Sequence, residues 1–227
     1  MTTDRTPATI PPDAPVGVAG VFPPTNGETP VRFLLIGLDL SLSATGLVFV
    51  RPDDDRPIKL DLVLSSPTPG GAYPATLTRL RTIARRILDR IDREQQAGDV
   101  VVVTIEAPSF GSIHGHVHTR AGLWWLMYHL LEKRALIVTI EPSRLKRYVT
   151  GKGNAPKTEV LARVAANFPN VGITDDNQAD ALALACMTAR ELGQAIEPSP
   201  QRVTPGALEG VAWPAILTEY RNRRTPA

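Results

Sequence analysis

The sequence predicts an α/β fold whose sheet has an antiparallel start, and three observations predict it. The apolar run Phe33 to Leu38 ends on Asp39, and a second apolar run follows through a short Ser/Thr/Gly turn, as in a hairpin with an acid at its rim. The β-branched run Val100 to Ile105 ends in the same way on Glu106. Strands this apolar are normally covered on both faces, and segments of helical spacing between and after them supply the cover.

Taken in order, residues 1 to about 30 hold seven prolines and no periodicity, which predicts a disordered or extended leader. After the hairpin, Arg51 to Pro57 is a charged turn, Ile58 to Ser65 a third strand, and Pro67 to Gly71 a break. From Thr76 to about Gln96, Leu77, Leu80, Ile83, Ile87 and Ile91 recur at three and four residues, opposite Arg79, Arg86, Arg90 and Arg93. That spacing predicts an amphipathic helix with a solvated basic face. Residues 100–106 form the fourth strand, and a loop from Ala107 to His118 leads to a helix with Leu123, Leu126, Met127, Leu130 and Leu131 on one side. Leu136 to Ile140 makes a short fifth strand, and Pro142 to Val149 a brief helix. A Gly-containing loop then leads to a helix over about 156–167, with Pro at a permitted first position. The last strong element runs from about Asp175 to Leu192, and the prolines after it predict an irregular basic tail over 194–227. The remainder, 31–193, is read as one domain.

Composition narrows the function classes. With 227 residues and 43% hydrophobic content the chain can bury one good core. A net charge of +2 does not by itself point to nucleic acid, although Arg outnumbers Lys 20 to 5 and suits bidentate phosphate contacts. One cysteine, Cys186, excludes an internal disulfide or a Cys-based zinc site and fits the cytoplasm, that of a host if the chain is phage-encoded. No stretch reaches the length of a membrane span and no signal peptide is legible, so no membrane partner is expected.

The chemistry lies in lone acids. Asp39 and Glu106 end adjacent apolar strands, which brings them to one end of the sheet, and an isolated buried charge is costly without partners. A third acid, Asp180, interrupts the small-residue helix Ala179 to Ala185. Asp176 and Asn177 precede it by four and three residues, on the same helix face. Such a gathering repels itself unless a cation relieves it, and all-oxygen ligands favour magnesium or manganese over zinc. Taken singly, Asp39 is equally a turn residue, Glu106 a rim acid and Asp176 a helix cap; the combination carries the reading.

These motifs resemble a known family. Gly37-Leu38-Asp39 with Thr45-Gly46, the strand-final Glu106, the stretch Lys146 to Lys157 containing Thr150-Gly151-Lys152-Gly153-Asn154-Ala155, and Ala179-Asp180-Ala181-Leu182 resemble the RuvC-type Holliday junction resolvases of the RNase H-like superfamily, in the form phages carry. The resemblance covers about residues 31 to 193, in order. It implies a five-stranded mixed sheet flanked by helices, its first three strands antiparallel. It also implies a homodimer and two symmetric magnesium-dependent nicks at a four-way DNA junction, leaving 5′-phosphate and 3′-hydroxyl ends. By position, Asp39, Glu106 and Asp180 are then metal-binding carboxylates for two Mg2+ ions, with Mn2+ as a substitute. The bacterial enzymes carry a further acid three residues before the last Asp, where this chain has Asn177. Either the Asn177 carbonyl or Asp176 takes that place. Leu40-Ser41 also stands where the bacterial proteins have Pro-Gly.

Lys146 and Lys157 match in spacing the basic pair that the family sets near the scissile backbone, and Lys157 begins a helix, where backbone amides help to bind anions. Arg144, Arg147 and Lys152 thicken the patch, and Gly151 and Gly153 permit close approach to phosphate. The same stretch nearly spells a P-loop, but Pro156 replaces its second Gly and no buried strand precedes it. Phe110, four residues after Glu106, either stacks on an unpaired base or packs in the core. His114, His116 and His118 alternate beside a helix start, which reads as polar loop rather than zinc site. Trp124 and Trp125 read as core or interface packing. Two rivals stand beside the nuclease: an inert junction-binding protein of the same fold, and an actin-like nucleotide-binding domain, for whose duplicated half the chain has no room.

Overall fold

The computed structural model describes residues 31–55, 57–67, 72–108, 116–199 and 203–224. The expected leader, Phe110 and His114 lie outside them. The strands are β1 (Arg32–Asp39), β2 (Ala44–Val50), β3 (Ile58–Leu64), β4 (Asp99–Glu106) and β5 (Leu136–Ile140). They form one sheet in the order β3-β2-β1-β4-β5. β1 pairs antiparallel with β2 and β2 with β3, while β4 runs parallel to both β1 and β5. This is the mixed five-stranded sheet with an antiparallel start that the sequence predicts.

Side-chain alternation along β1 divides the molecule into two cores. Leu34, Ile36 and Leu38 face α1 (Tyr73–Glu94) and α2 (Val117–Leu131). Phe33 and Leu35 face the opposite layer, which holds α3 (Pro142–Thr150), α4 (Lys157–Asn167) and α5 (Asp176–Glu191).

Helix α5 lies unusually close to the sheet, and its composition explains how. Twelve of its residues are buried, among them Ala179, Ala181, Ala183 and Ala185. Opposite them the strands carry glycine. A Cβ on Gly37 would stand 1.7 Å from the Ala181 carbonyl oxygen, and one on Gly46 would stand 2.1 Å from that of Asn177. Only bare backbone fits at these two places, so α5 rests on β1 and β2 with its own backbone. A buried hydrogen bond between the hydroxyls of Thr104 in β4 and Thr188 in α5 ties the helix to the third central strand.

Two expectations change. The arginines of α1 are not simply solvated: Arg79 donates to the Leu42 carbonyl, Arg86 to that of Leu64 (3.0 Å), and Arg90 pairs with Asp61 (3.0 Å). They fasten the helix over the β2–β3 side of the sheet. The C-terminal stretch expected to be irregular holds a 3-10 turn, Pro205–Leu208, and α6 (Ala215–Arg224). Its prolines break the chain into short pieces without preventing packing. Ala207 and Leu217 are buried, Tyr220 packs edge-on against Phe33, and Arg221 pairs with Glu191 (2.9 Å).

Candidate metal and nucleic-acid site

The pleat decides where the acids go. Asp39 shares its side of β1 with Gly37, which faces Ala181, and Glu106 shares its side of β4 with Thr104, which meets Thr188. β1 and β4 are parallel neighbours, with Leu38 opposite Ile105, so both acids emerge at the same end of the sheet on the α5 side. Asp180 on α5 meets them there.

Electrostatics register the convergence. Burial, with the charges of Glu106 and Asp180 adding to it, holds the Asp39 carboxyl well above the usual carboxylate range. Glu106 is pushed up to about 7, first by burial and then by Asp180, while Lys157 and Lys146 oppose the rise. Asp180 is pushed up to about 6 by burial, against the opposing pull of Lys157 and Lys146. Three desolvated carboxylates thus share one corner in which lysines supply the compensating charge.

The neighbouring positions sort themselves differently. Asp176 accepts a hydrogen bond from the Lys157 ammonium (2.9 Å), which holds its carboxyl below the usual range. Lys157 is itself raised: burial works against the charged form, but the bond to Asp176 and the charge of Asp39 outweigh it. The helix cap offered as the alternative role of Asp176 belongs instead to Asp175, which accepts from the backbone amides of Asn177 (2.9 Å) and Gln178 (3.3 Å). The Asn177 side-chain amide also donates to Asp175 (2.9 Å). Neither candidate for the fourth ligand is therefore idle.

Among the basic residues, Lys157 and Lys146 face the acids. Lys152 reaches Glu159 (3.7 Å), and Arg147 is exposed on α3. The two glycines of the loop serve the fold as well: Gly151 ends α3 in the left-handed conformation (φ 81°), and a Cβ on Gly153 would press on the Ser143 carbonyl at 3.2 Å. Arg144 faces the C-terminal segment, where it donates to the carbonyls of Ala207 (2.8 Å) and Glu209.

One acid escaped the sequence reading. Glu141 follows β5 and lines a cavity of about 450 Å³ together with Asp39 and Glu106. Its charge also raises Glu106. The signal was present: Thr139-Ile140-Glu141 repeats Thr104-Ile105-Glu106, an apolar strand ending on an acid, and the two strands are parallel neighbours.

Among the described residues, no group of three or more His, Cys, Asp or Glu side chains is drawn together closely enough to hold a metal ion. The acids are near neighbours without forming a closed cage. Their chemistry nevertheless fits a hard divalent cation: the donors are all oxygen, and each of the three buried carboxylates is destabilised in its charged form. Asp39, Glu106 and Asp180 are the residues that could hold one.

No family model matches the chain. Among solved structures, the chain is similar to the Thermus thermophilus RuvC structure, with 21% sequence identity, a TM-score of 0.51, and coverage of 72% of this chain and 98% of that one. A second match, T. thermophilus RuvC in complex with Holliday junction substrate, has 22% identity and a TM-score of 0.45 over 67% of this chain and 90% of that one. The first match shows a shared RNase H-like fold. No helix among the described residues is long and apolar enough to cross a membrane.

Proposed function

We propose that this protein is a divalent-metal-dependent endonuclease that resolves Holliday junctions or related branched DNA, acting as a homodimer. One observation carries the reading: Asp39, Glu106 and Asp180 come from two parallel strand ends and a helix into one desolvated corner, where each is held above its ordinary pKa. Buried like charges repel one another and cost the fold stability, so three of them gathered at one place fit ligation of a cation.

Magnesium or manganese ions held by these carboxylates would supply activation of a water and stabilisation of the leaving 3′ oxygen. The chain's own residues have separate tasks. Asp39, Glu106 and Asp180 offer oxygen ligands, and burial keeps bulk water from competing for them. Lys157 and Lys146 place positive charge beside the acids, where a DNA phosphate would otherwise be repelled. Asp176 holds the Lys157 ammonium in place. Arg147 and Lys152 lie further out, as contacts for the backbone of a DNA arm. No side chain acts as nucleophile, and the products are a 5′-phosphate and a 3′-hydroxyl.

The test incubates the protein with a synthetic four-way junction and magnesium, beside Asp39→Asn. Paired symmetric nicks that disappear in the variant support the proposal. A second reading, a junction-binding protein that does not cut, is favoured by the fourth-ligand position, where Asp176 is paired with Lys157 and Asn177 with Asp175. Tight binding without nicks in either metal would establish it.

A further inference from the structure

We propose that the groove between the β2–β3 edge of the sheet and the N-terminal half of α1 is a second DNA-backbone site, which grips a phosphate of the arm leading away from the cut. This rests on the nuclease reading for the identity of the polyanion. The groove, of about 760 Å³, opens at the same end of the sheet as the acids. β1 ends there at Asp39, β2 begins there, and β3 ends there at Leu64, beyond which the Ser65 amide donates to the Ser43 carbonyl (2.8 Å). Asp39 pairs with Gly46, and Ser43 lies three residues before that glycine. At ~3.4 Å per residue the groove therefore stands on the order of 10 Å from the acids. One DNA strand advances ~3.4 Å per nucleotide, which makes that distance about three nucleotides. Lys146 and Lys157 belong to the α3–α4 layer and this groove to the α1 layer, so the two basic surfaces flank the sheet end that carries the acids.

The chemistry of the walls suits a polyanion. From Tyr73 to Leu88, α1 carries Arg79, Arg81, Arg85 and Arg86 and no acid. Acids enter only in its second half, where Asp92 pairs with Arg134 and Glu94 with Lys59. Among the described residues no Asp or Glu lines the groove; its polar walls are the guanidiniums of Arg79 and Arg86 and the hydroxyls of Ser43, Ser65 and Ser66. Both guanidiniums are held by neutral groups. Arg79 donates from Nε to the Ser65 hydroxyl (3.0 Å) and from Nη2 to the Leu42 carbonyl, and Arg86 donates from Nη1 to the Leu64 carbonyl (3.0 Å). A guanidinium has five N–H donors, so Arg79 keeps Nη1, and Arg86 keeps Nε and Nη2, for an incoming phosphate. These side chains are already ordered and no carboxylate neutralises them, whereas Lys157 and Lys152 answer to Asp176 and Glu159. Arg81 and Arg85 do not line the groove, but one turn apart they repel each other and raise the positive potential around it.

The experiment measures the affinity for a four-way junction by fluorescence anisotropy in EDTA, where no cutting can occur. It is run over a series of salt concentrations, and on junctions carrying one uncharged methylphosphonate at each position of an arm in turn. The wild-type chain is expected to lose affinity at the phosphate being cut and again at one about three nucleotides away. Arg86→Gln should erase the second loss, leave the first, and lower the slope of log K against log salt by ~0.9, the share of one phosphate contact. Ser66→Glu should weaken binding and lower the slope at least as much. Ser66 is exposed, so this variant keeps the test valid should Arg86→Gln loosen α1. Arg93→Gln, on the far half of α1 and bonded to the Asp89 carbonyl of its own helix, should leave slope and profile at wild-type values. A wild-type slope and profile in both Arg86→Gln and Ser66→Glu overturn the groove even if the protein nicks junctions. A lowered slope and an erased second position, on junctions that the wild type never nicks in magnesium or manganese, keep the groove and refute the nuclease.

Discussion

Replacing Gly37 by Ala tests the packing on which the site depends. The added Cβ would stand 1.7 Å from the Ala181 carbonyl oxygen, 2.7 Å from its carbonyl carbon and 3.0 Å from the Ala185 amide nitrogen. Real Cβ contacts essentially never fall below 3.0 Å, so α5 or β1 must yield by more than 1 Å, and the obstructing atoms are backbone. Overpacking of this kind costs about 1–3 kcal/mol or more, a fall in melting temperature of roughly 2–4 °C per kcal/mol for a chain of this size. Asp180 lies one residue from the point of collision, so the same shift moves it relative to Asp39. A 1 Å misplacement at a reacting centre costs on the order of 100-fold in rate. Thermal unfolding followed by circular dichroism reads the first effect, and nicking at a temperature well below both transitions reads the second. Gly98→Ala is the control: Gly98 has a left-handed backbone (φ 84°) with nothing near its Cβ position, so Ala there costs only the strain of that conformation, about 1–2 kcal/mol. Its effect on the acids should be nil. If Gly37→Ala melts with wild-type stability and nicks at the wild-type rate, the close approach of α5 is wrong, and with it the account of how Asp180 reaches the strand ends.

Three further outcomes are expected. In the metal-free protein, Glu106 rises from 4.5 to about 7 and Asp180 from 3.8 to about 6 on folding, so between pH 4 and 7 the native state binds more protons than the unfolded one. Stability should therefore fall as pH rises through that window, by on the order of 3 kcal/mol for each group, and be lowest above pH 7; urea titrations at pH 5 and 8 measure it. Adding magnesium or manganese at pH 8 should restore stability, and Asp39→Asn should stabilise the metal-free protein while blunting the response to metal in the same titrations. Thr188→Val should cost about 1–3 kcal/mol by leaving the Thr104 hydroxyl buried and unpaired, whereas the double change Thr104→Val with Thr188→Val should cost less, as a double-mutant cycle in urea would show. Lys157→Ala should weaken junction affinity in EDTA and raise the pKa values of the three acids further, which carboxyl-carbon NMR titration reads directly.

Much of this architecture was legible because the strands are apolar on both faces and each ends on an acid. The runs before Asp39 and Glu106 located β1 and β4, and their shared ending predicted a common end of the sheet. Asp180 was legible as an interruption of a small-residue helix. What the sequence did not disclose depends on contacts far apart in the chain. That Lys157 would choose Asp176, or that Asp175 rather than Asp176 would cap α5, is decided by where α4 lies against α5. The roles of Arg79 and Arg86 depend on backbone carbonyls of the β1–β2 turn and β3, which carry no signal in residue type. The C-terminal segment was misread because proline density argues against long elements but says nothing about a 10-residue helix after Pro214.

The small-residue character of α5 and the glycines of β1 and β2 are one feature seen from two sides. An acid on a helix packed through ordinary side chains would sit about 10 Å from the sheet, too far to share a cation with acids at the strand ends. Here Gly37 and Gly46 remove the side chains on one side, and the alanines of α5 remove them on the other. The backbone of the helix comes down onto the sheet, and Asp180 comes with it. The same parity that sends Asp39 and Glu106 toward α5 sends Thr139 and Glu141 toward α2, because Glu141 lies one residue beyond the position paired with Glu106. The strand ends thereby separate the buried acids that face α5 from the aromatic surface that faces α2.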